Sequence, residues 1–270
     1  MDILVATRHM TERDLPVQMA LRLQNGANNT LTFLHVAATD EQRPAAERTL
    51  KALRTALGGG PALRSMVRVG KIAATILATA TDGGFDLLVV GHRPRHARLR
   101  PFRIGPAERI LASRRLPTLV VRGEASAIRH VLLCESGREP TLLARVQAQL
   151  PALLAQAERL TVLHVMSQIA AAPGVPGWEL RADAEALIEE GTPEGQLLEE
   201  EIALLEPAPV EPEAKVRHGL VVDEILAEAR EGDYDVVIIG AIHETGWRRY
   251  LLDDLADQIL REVDRPVLVL

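Results

Sequence analysis

Three things are scarce in this chain of 270 residues: cysteine, aromatic side chains and long apolar runs. The single cysteine, Cys134, excludes an intramolecular disulfide and fits a reducing compartment. No apolar run approaches the roughly 20 residues needed to span a bilayer, and no basic segment with an apolar signal core opens the sequence. We therefore expect a cytoplasmic protein that does not associate with a membrane.

Motifs for catalysis and for metal binding are also missing. The sequence has no arrangement that resembles a Ser-His-Asp triad, a Cys-x2-Cys pair or a Walker loop with its lysine. Aromatic residues are 3% of the chain, so few are available to stack on nucleic-acid bases. These absences predict no catalytic residues, no metal site and no nucleic-acid partner.

A large part of the sequence occurs twice. Residues 67–121 recur 149 positions later, so that Val67-Arg68-Val69-Gly70 corresponds to Val216-Arg217-His218-Gly219. Residues 31–36 recur at an offset of 129, which implies an insertion of about twenty residues in the second copy. The repeat predicts two domains, at residues 1–123 and 128–270, with the insertion near 166–213.

Charge divides along the same boundary. Through Gly123 the sequence has 19 Lys and Arg against 9 Asp and Glu, a net charge of +10. The remainder has 12 against 28, a net charge of −16. Opposite charges favour docking of the two domains on each other or steering of charged partners.

The apolar runs predict the fold class. They are short, rich in β-branched residues and leucine, and not strictly alternating, which is typical of strands buried on both faces of a parallel sheet. Helical patterns separate them, so we predict two doubly wound α/β domains. The predicted strands are residues 2–6, 30–36, 65–69, 86–91 and 117–121, and then 130–134, 159–165, 214–217, 235–240 and 266–270.

The insertion is predicted to contain one acidic helix. Thr192-Pro193 is typical of an N-cap followed by a first-turn proline, and the helical pattern then runs over residues 194–205. One interpretation is an amphipathic cover helix with solvated glutamates. The other is a lid or a segment that docks a partner.

Several repeated blocks resemble the universal stress protein family, in its tandem UspA-like form. They are the strand ending in Val-Val-Gly, the Ala-Glu-Arg-Ile-Leu helix start, the last strand Pro-Thr-Leu-Val-Val, the Leu-Thr-x-Leu-His-Val block and the Val-Arg-x-Gly turn. The resemblance implies a five-stranded parallel sheet in the order 3-2-1-4-5 in each domain. It also implies that the two domains pair through their last strands as an internal pseudo-dimer.

Nucleotide-binding members of that family hold the phosphates in a loop after the fourth strand, Gly-x2-Gly-x9-Gly-[Ser/Thr]. They place an acidic residue for the nucleoside just after the first strand. Glycines allow close approach of backbone N–H groups to the anion. The first copy has Gly91, Pro94, Ile104 and Gly105 in the loop and Arg8 at the acidic position; the second has Gly240, His243, Asp253 and Asp254, and Ser136.

These departures predict degenerate nucleotide sites. Pro94 removes an N–H, Ile104 adds a branched side chain, and the carboxylates of Asp253 and Asp254 would repel a polyphosphate. We therefore expect no bound cofactor. The two aspartates could also be imagined as metal ligands, but acidic residues are favoured in a first helical turn by the macrodipole alone.

The loop of the first copy is rich in arginine. Its guanidinium groups can contact phosphates or carboxylates bidentately, which predicts an anion site built from side chains. The alternative is a solvated loop, or one that docks on the acidic second domain. The arginines of this loop are Arg93, Arg95, Arg98, Arg100 and Arg103.

Other residues that could carry chemistry have structural interpretations. His35 and His164 end equivalent strands, where hydrogen-bonded structural roles are expected. Cys134 is expected to be buried and inert, because no basic neighbour lowers its pKa. Trp178, Trp247 and Tyr250 either pack against the insertion or anchor a protein interface.

The leading functional hypothesis is a stress-response binding or regulatory module without turnover. The alternative is a nucleotide switch with slow ATPase activity that binds ATP or AMP in the first domain. Pairing of the two domains, a homodimer and an unidentified protein partner are the expected interactions.

Overall fold

The chain folds into two compact units, Met1–Ala127 and Ile128–Leu268. The computed structural model describes residues 1–24, 29–92, 106–111, 116–123, 127–167, 178, 181–205, 209–240, 256 and 258–270. None of the described helices is both long and apolar enough to cross a membrane.

The first unit is a five-stranded parallel sheet in the order β3-β2-β1-β4-β5. Ile3, Leu4 and Val5 of the central strand are fully buried, because helices cover both faces of the sheet. The elements are β1 (Asp2–Ala6), α1 (Leu15–Gln24), β2 (Thr30–Ala37), α2 (Arg43–Ala56), β3 (Leu63–Val69), α3 (Ile72–Asp82), β4 (Leu87–Gly91), α4 (Pro106–Leu111) and β5 (Thr118–Val121).

The second unit repeats this order as β8-β7-β6-β9-β10. The predicted strand order 3-2-1-4-5 is therefore confirmed in both copies. The elements are β6 (His130–Glu135), α5 (Leu142–Gln149), α6 (Pro151–Leu154), β7 (Arg159–Met166), α7 (Ala184–Glu189), α8 (Pro193–Leu205), β8 (Glu211–His218), α9 (Val221–Glu231), β9 (Val236–Ile239) and β10 (Val267–Val269).

The insertion differs from its prediction at both ends. It contains a second helix, α7, and β8 begins at Glu211 rather than at residue 214. Pro212 lies inside β8 and pairs opposite Leu160 of β7. Since β8 is the last strand in the order of its unit's sheet, the missing N–H of a proline is tolerated there.

The start of the acidic helix agrees with its prediction. The hydroxyl of Thr192 accepts a hydrogen bond from the N–H of Gly195 at 3.0 Å, which is the role of an N-cap. Gly195 is required at this position, because an added methyl group would lie 2.0 Å from the carbonyl oxygen of Leu187. Helices α7 and α8 therefore pack closely, with the backbone of α8 at Gly195 next to the backbone of α7 at Leu187.

Candidate functional site

The predicted nucleotide sites lie at the carboxyl ends of the strands, where open α/β sheets bind their ligands. Arg8, Gly91, Ser136 and Gly240 are among the described residues. The other residues named for these sites lie outside the described residues: Arg93, Arg95, Arg98, Arg100, Arg103, Gly105, His243, Asp253 and Asp254. Pro94, Ile104, Trp247 and Tyr250 lie outside them too.

Strand register shows that the positions just after the first strand of each unit are equivalent. Ala6 pairs with Val90 in the first unit, and Cys134 pairs with Ile239 in the second. Arg8 lies two residues after Ala6, and Ser136 lies two residues after Cys134, so Arg8 and Ser136 occupy equivalent positions. A cation and a hydroxyl thus stand where the family resemblance calls for an acidic residue.

The first unit brings Arg8 and Gly91 together. Both line a cavity of about 100 Å³ whose walls also include Thr7, Leu34 and Ile76. A methyl group added at Gly91 would lie 3.2 Å from Pro16 and 3.3 Å from the hydroxyl of Thr7, so β4 ends close to the start of α1. Binding pockets for small molecules usually measure about 300–1,000 Å³, so this cavity is small for a nucleotide.

The loop between β1 and α1 is held by its own side chains. One carboxylate oxygen of Asp14 accepts hydrogen bonds from the hydroxyl of Thr7 at 2.7 Å and from the N–H of Met10 at 3.2 Å. Met10 is buried and has a φ of 47°, in the left-handed region that is unusual for a side chain of this type. The backbone donor of Met10 is therefore already engaged.

In the second unit a buried carboxylate organises the equivalent loop. Glu135, the last residue of β6, accepts hydrogen bonds from the N–H groups of Ser136 at 2.7 Å, Gly137 at 3.0 Å and Leu142 at 2.7 Å. These three bonds fix the path of the chain from β6 into α5. Glu135 was not among the predicted site residues, although an acidic residue at the end of an otherwise apolar strand was a usable signal.

The inserted helix α8 lies against this loop. A methyl group added at Gly137, which has a φ of 69°, would lie 3.2 Å from Leu197 of α8. The side-chain amide of Gln147 on α5 donates to the carbonyl oxygen of Leu204 at 3.1 Å. The insertion also reaches the end of β8, where Nε2 of His218 lies 2.7 Å from the carbonyl oxygen of Ala182.

One glutamate of α8 is not solvated, contrary to the prediction. Glu201 is 1% exposed and lies on the buried face of the helix between Leu198 and Leu205. Neither carboxylate oxygen has a hydrogen bond of normal geometry, although the nearby hydroxyl of Thr141 lowers the pKa somewhat. Burial is the main effect, and it raises the pKa of Glu201 to about 7.

The two equivalent histidines differ. Nδ1 of His164 lies 3.2 Å from the carbonyl oxygen of Glu135, as expected for a structural residue. His35 departs from the prediction, because its buried Nδ1 has no hydrogen-bond partner in the described part of the chain. Burial lowers the pKa of both imidazoles.

Cys134 and Trp178 are the remaining described candidates. Cys134 is partly exposed, yet burial first and then the charges of Glu228 and Glu135 raise its pKa, which supports an inert thiol. Trp178 is 45% exposed. This exposure is compatible with both interpretations of Trp178, packing against the insertion and a protein interface.

At the end of β9, a methyl group added at Gly240 would come no closer than 3.9 Å to any described neighbour, and the nearest are the side chains of Arg145 and Leu142. Within the described part of the chain, no group of three or more His, Cys, Asp or Glu side chains is arranged to hold a metal ion.

Comparison with known proteins agrees with the repeat. The profile of the Universal stress protein family matches residues 1–122 and again residues 128–270. The comparison with curated proteins finds no match.

Solved structures share the fold over the whole chain. A protein of unknown function from Pseudomonas aeruginosa PAO1 is 18% identical, with 100% of this chain and 92% of that chain covered and a TM-score of 0.67. A putative universal stress protein from Pseudomonas aeruginosa UCBPP-PA14 is 17% identical, with the same coverage and TM-score. A universal stress protein from Archaeoglobus fulgidus DSM 4304 is 14% identical, with 99% and 95% covered and a TM-score of 0.63.

Proposed function

Because the chain belongs to the universal stress protein family, we propose that it is a stress-response binding or regulatory module with two degenerate nucleotide sites and no catalytic turnover. The observation that carries the proposal is the loop after β6. There the carboxylate of Glu135 takes three backbone N–H groups, and α8 of the insertion lies alongside.

In the second unit, the loop after β6 does not offer these backbone N–H groups to a nucleotide. The N–H groups of Ser136 and Gly137 point to Glu135 rather than outward, so they are not available to an anion. A phosphate near Glu135 would also meet a buried negative charge. Both effects disfavour ATP in the second unit.

The first site is disfavoured for different reasons. Its cavity of about 100 Å³ is smaller than a nucleotide pocket, and Arg8 replaces the acidic residue that would accept hydrogen bonds from a nucleoside. An arginine has donors but no acceptor, so it cannot substitute for a carboxylate in that role.

A second candidate function has one observation in its favour. The exposed Arg8 lies beside the cavity that ends at Gly91, so a cation is in place for an anionic ligand in the first unit. The alternative is therefore a switch that binds ATP or AMP in the first domain, with slow ATPase activity and with phosphates held by the arginine-rich loop.

Isothermal titration calorimetry of the full-length protein tests the two functions. ATP, ADP and AMP, each with and without Mg²⁺, are expected to give no binding heat. Binding in the micromolar range that Arg98→Ala and Arg103→Ala abolish would replace the first proposal by the second. Arg48→Ala, at an exposed position on α2, is the control for loss of one positive charge.

A further inference from the structure

The two units differ on one face of their sheets. In the second unit, the carboxylate of Glu228 on α9 is completely buried against β8. Its oxygens accept hydrogen bonds from Lys215 Nζ at 2.8 Å, Arg217 Nε at 2.7 Å and the hydroxyl of Tyr234 at 2.5 Å. The cations of β8 are therefore neutralised by a carboxylate of the neighbouring helix.

Further acidic residues complete this network. Arg217 also pairs with Glu224 at 3.3 Å and with Glu231. Glu213 accepts a hydrogen bond from the hydroxyl of Thr161 at 2.8 Å. The second unit thus fills the space between α9 and β8 with its own paired charges.

The repeat offset of 149 gives the equivalent residues of the first unit. Arg217 corresponds to Arg68, so the cation is kept. Three carboxylates are lost, because Thr79 stands for Glu228, Thr75 for Glu224 and Arg64 for Glu213. The other correspondences are Met66 for Lys215, Phe85 for Tyr234 and Asp82 for Glu231.

A cavity of about 990 Å³ occupies this place in the first unit, between α3 and the strands β2 and β3. We call it the basic groove, defined by Arg64, Met66, Arg68, Thr79 and Phe85. Its volume lies at the upper end of the range of about 300–1,000 Å³ for small-molecule sites. Asp2 and Phe85, which line it, stand at the amino ends of β1 and β4, so the basic groove is separate from the carboxyl-edge site.

The side chains of two arginines in the basic groove have no partner among the described residues. Arg64 and Arg68 are exposed, and neither guanidinium group makes a hydrogen bond or an ion pair with another residue that the structure describes. Arg54 also lines the cavity, and its Nε is shielded from solvent without a hydrogen-bond partner. Only Asp2 and Asp82 supply negative charge among the lining residues.

The side chains of β3 that line the groove alternate between charged and apolar groups. Arg64, Met66 and Arg68 share one face, because side chains alternate along a strand. The two arginines are about 13 Å apart at the backbone, with Met66 between them. Opposite this strand the groove presents Ala78 of α3 and the ring of Phe85, so its centre is apolar and its ends are cationic.

We propose that the basic groove binds a small organic anion, with a phosphate or carboxylate group held by Arg68, an apolar body over Met66 and Phe85, and Arg64 adding positive charge at the other end of the groove. The ligand's acidic group takes the place that the Glu228 carboxylate occupies in the second unit. Guanidinium groups bind both kinds of oxyanion, and the apolar centre adds the area that a bare inorganic ion could not cover.

Calorimetry of the full-length protein with 1-naphthyl phosphate and with 1-naphthoate tests the proposal. At least one probe is expected to bind saturably at one site, and the stronger of the two identifies phosphate or carboxylate as the preferred group. Arg64→Glu and Arg68→Glu are each expected to weaken binding about tenfold or more. Arg48→Glu, the same charge change on exposed α2 outside the groove, is expected to change affinity less than about twofold.

A second variant covers the case in which the arginine variants do not fold. Thr79→Glu places a carboxylate where the second unit has Glu228, so it is expected to pair with Arg68 and to abolish probe binding while the melting temperature stays the same or rises. Arg98→Ala, in the arginine-rich loop, is expected to leave probe binding unchanged. Absence of binding for both probes, full affinity in Thr79→Glu, or equal losses in Arg48→Glu or Arg98→Ala would overturn the proposal.

Discussion

Glu201 is the residue whose ionisation matters most for the insertion. It is buried on α8, and the carboxylates of Glu135, Glu139 and Glu200 add to the burial that raises its pKa to about 7. An acid whose pKa is raised from 4.5 in the folded state holds its proton longer there than in the unfolded chain. Its contribution to stability is therefore complete below about pH 4.5 and is lost as the pH rises through about 7.

Glu201→Gln tests this pH dependence. The free energy of unfolding of the wild type is expected to fall by about 1–3 kcal/mol between about pH 5 and about pH 8 relative to the variant, since glutamine carries no charge to bury. Denaturant titrations of both proteins at the two pH values measure the difference.

Glu199→Gln is the matched control on the same helix. Glu199 is exposed and is not among the groups that raise the pKa of Glu201, so its variant is expected to keep the pH dependence of the wild type. If Glu201→Gln shows the same fall as the wild type between the two pH values, Glu201 does not carry the effect.

At the scale of elements, the contact between α9 and β8 differs most from its counterpart, α3 on β3. Desolvation opposes ionisation of Glu228, but hydrogen bonds from Lys215, Tyr234 and Arg217 outweigh it and lower the pKa of Glu228. A lowered pKa means that this stabilisation is present above about pH 4.5 and is lost as the pH falls further. Thr79 replaces Glu228 on α3, so the first unit lacks this contact.

Glu228→Ala is expected to destabilise the second unit by about 3 kcal/mol. The substitution leaves Lys215 and Arg217 without their buried partner, and removal of one member of a buried pair typically costs about 3–5 kcal/mol. The lower part of that range applies because Lys215 is 39% exposed and can reach water. Both tryptophans, Trp178 and Trp247, belong to the second half of the sequence, so tryptophan fluorescence follows the unfolding of this unit.

Thr79→Ala is the control at the equivalent position of the first unit. Among the described residues, the Thr79 hydroxyl donates to the carbonyl oxygen of Thr75 in its own helix, at 2.7 Å, and to no other group, so we expect a change below about 1 kcal/mol. A loss in Glu228→Ala no larger than this would show that the charged network adds no net stability.

The repeat and the charge asymmetry both favour association of the two units. The first half carries a net charge of +10 and the second of −16, and each copy ends in an apolar strand. Unpaired strand edges invite association, and opposite charges favour it. We propose that the two units pair within one chain.

Separate production of residues 1–123 and 128–270 tests the pairing. We expect the two fragments to form a 1:1 complex in sedimentation experiments and the complex to weaken as salt is added, because screening reduces the attraction between exposed charges. Fragments that stay monomeric when mixed, or that form only homodimers, would contradict the proposal. The latter outcome would point instead to association between chains.

Some strands and side-chain environments could be predicted from the sequence, and others could not. Buried strands such as Asp2–Ala6 and Val236–Ile239 were predictable, because their apolar runs are short and bounded by helical patterns. The start of β8 was not, because Pro212 is normally read as a strand breaker and is acceptable only at a sheet edge. Glu201 and Glu135 were missed for a similar reason, since acidic residues are usually solvated.

The duplication, the α/β class and the family follow from residue order and type, and so does the absence of several glycines that a phosphate loop requires. Which carboxylates are buried, and what they contact, depends on how distant segments pack together. Glu135, Glu201 and Glu228 are ordinary acidic residues in the sequence, and packing of distant segments gives each a different electrostatic environment. The basic groove also depends on packing, since it arises where α3 lacks the carboxylates that α9 supplies.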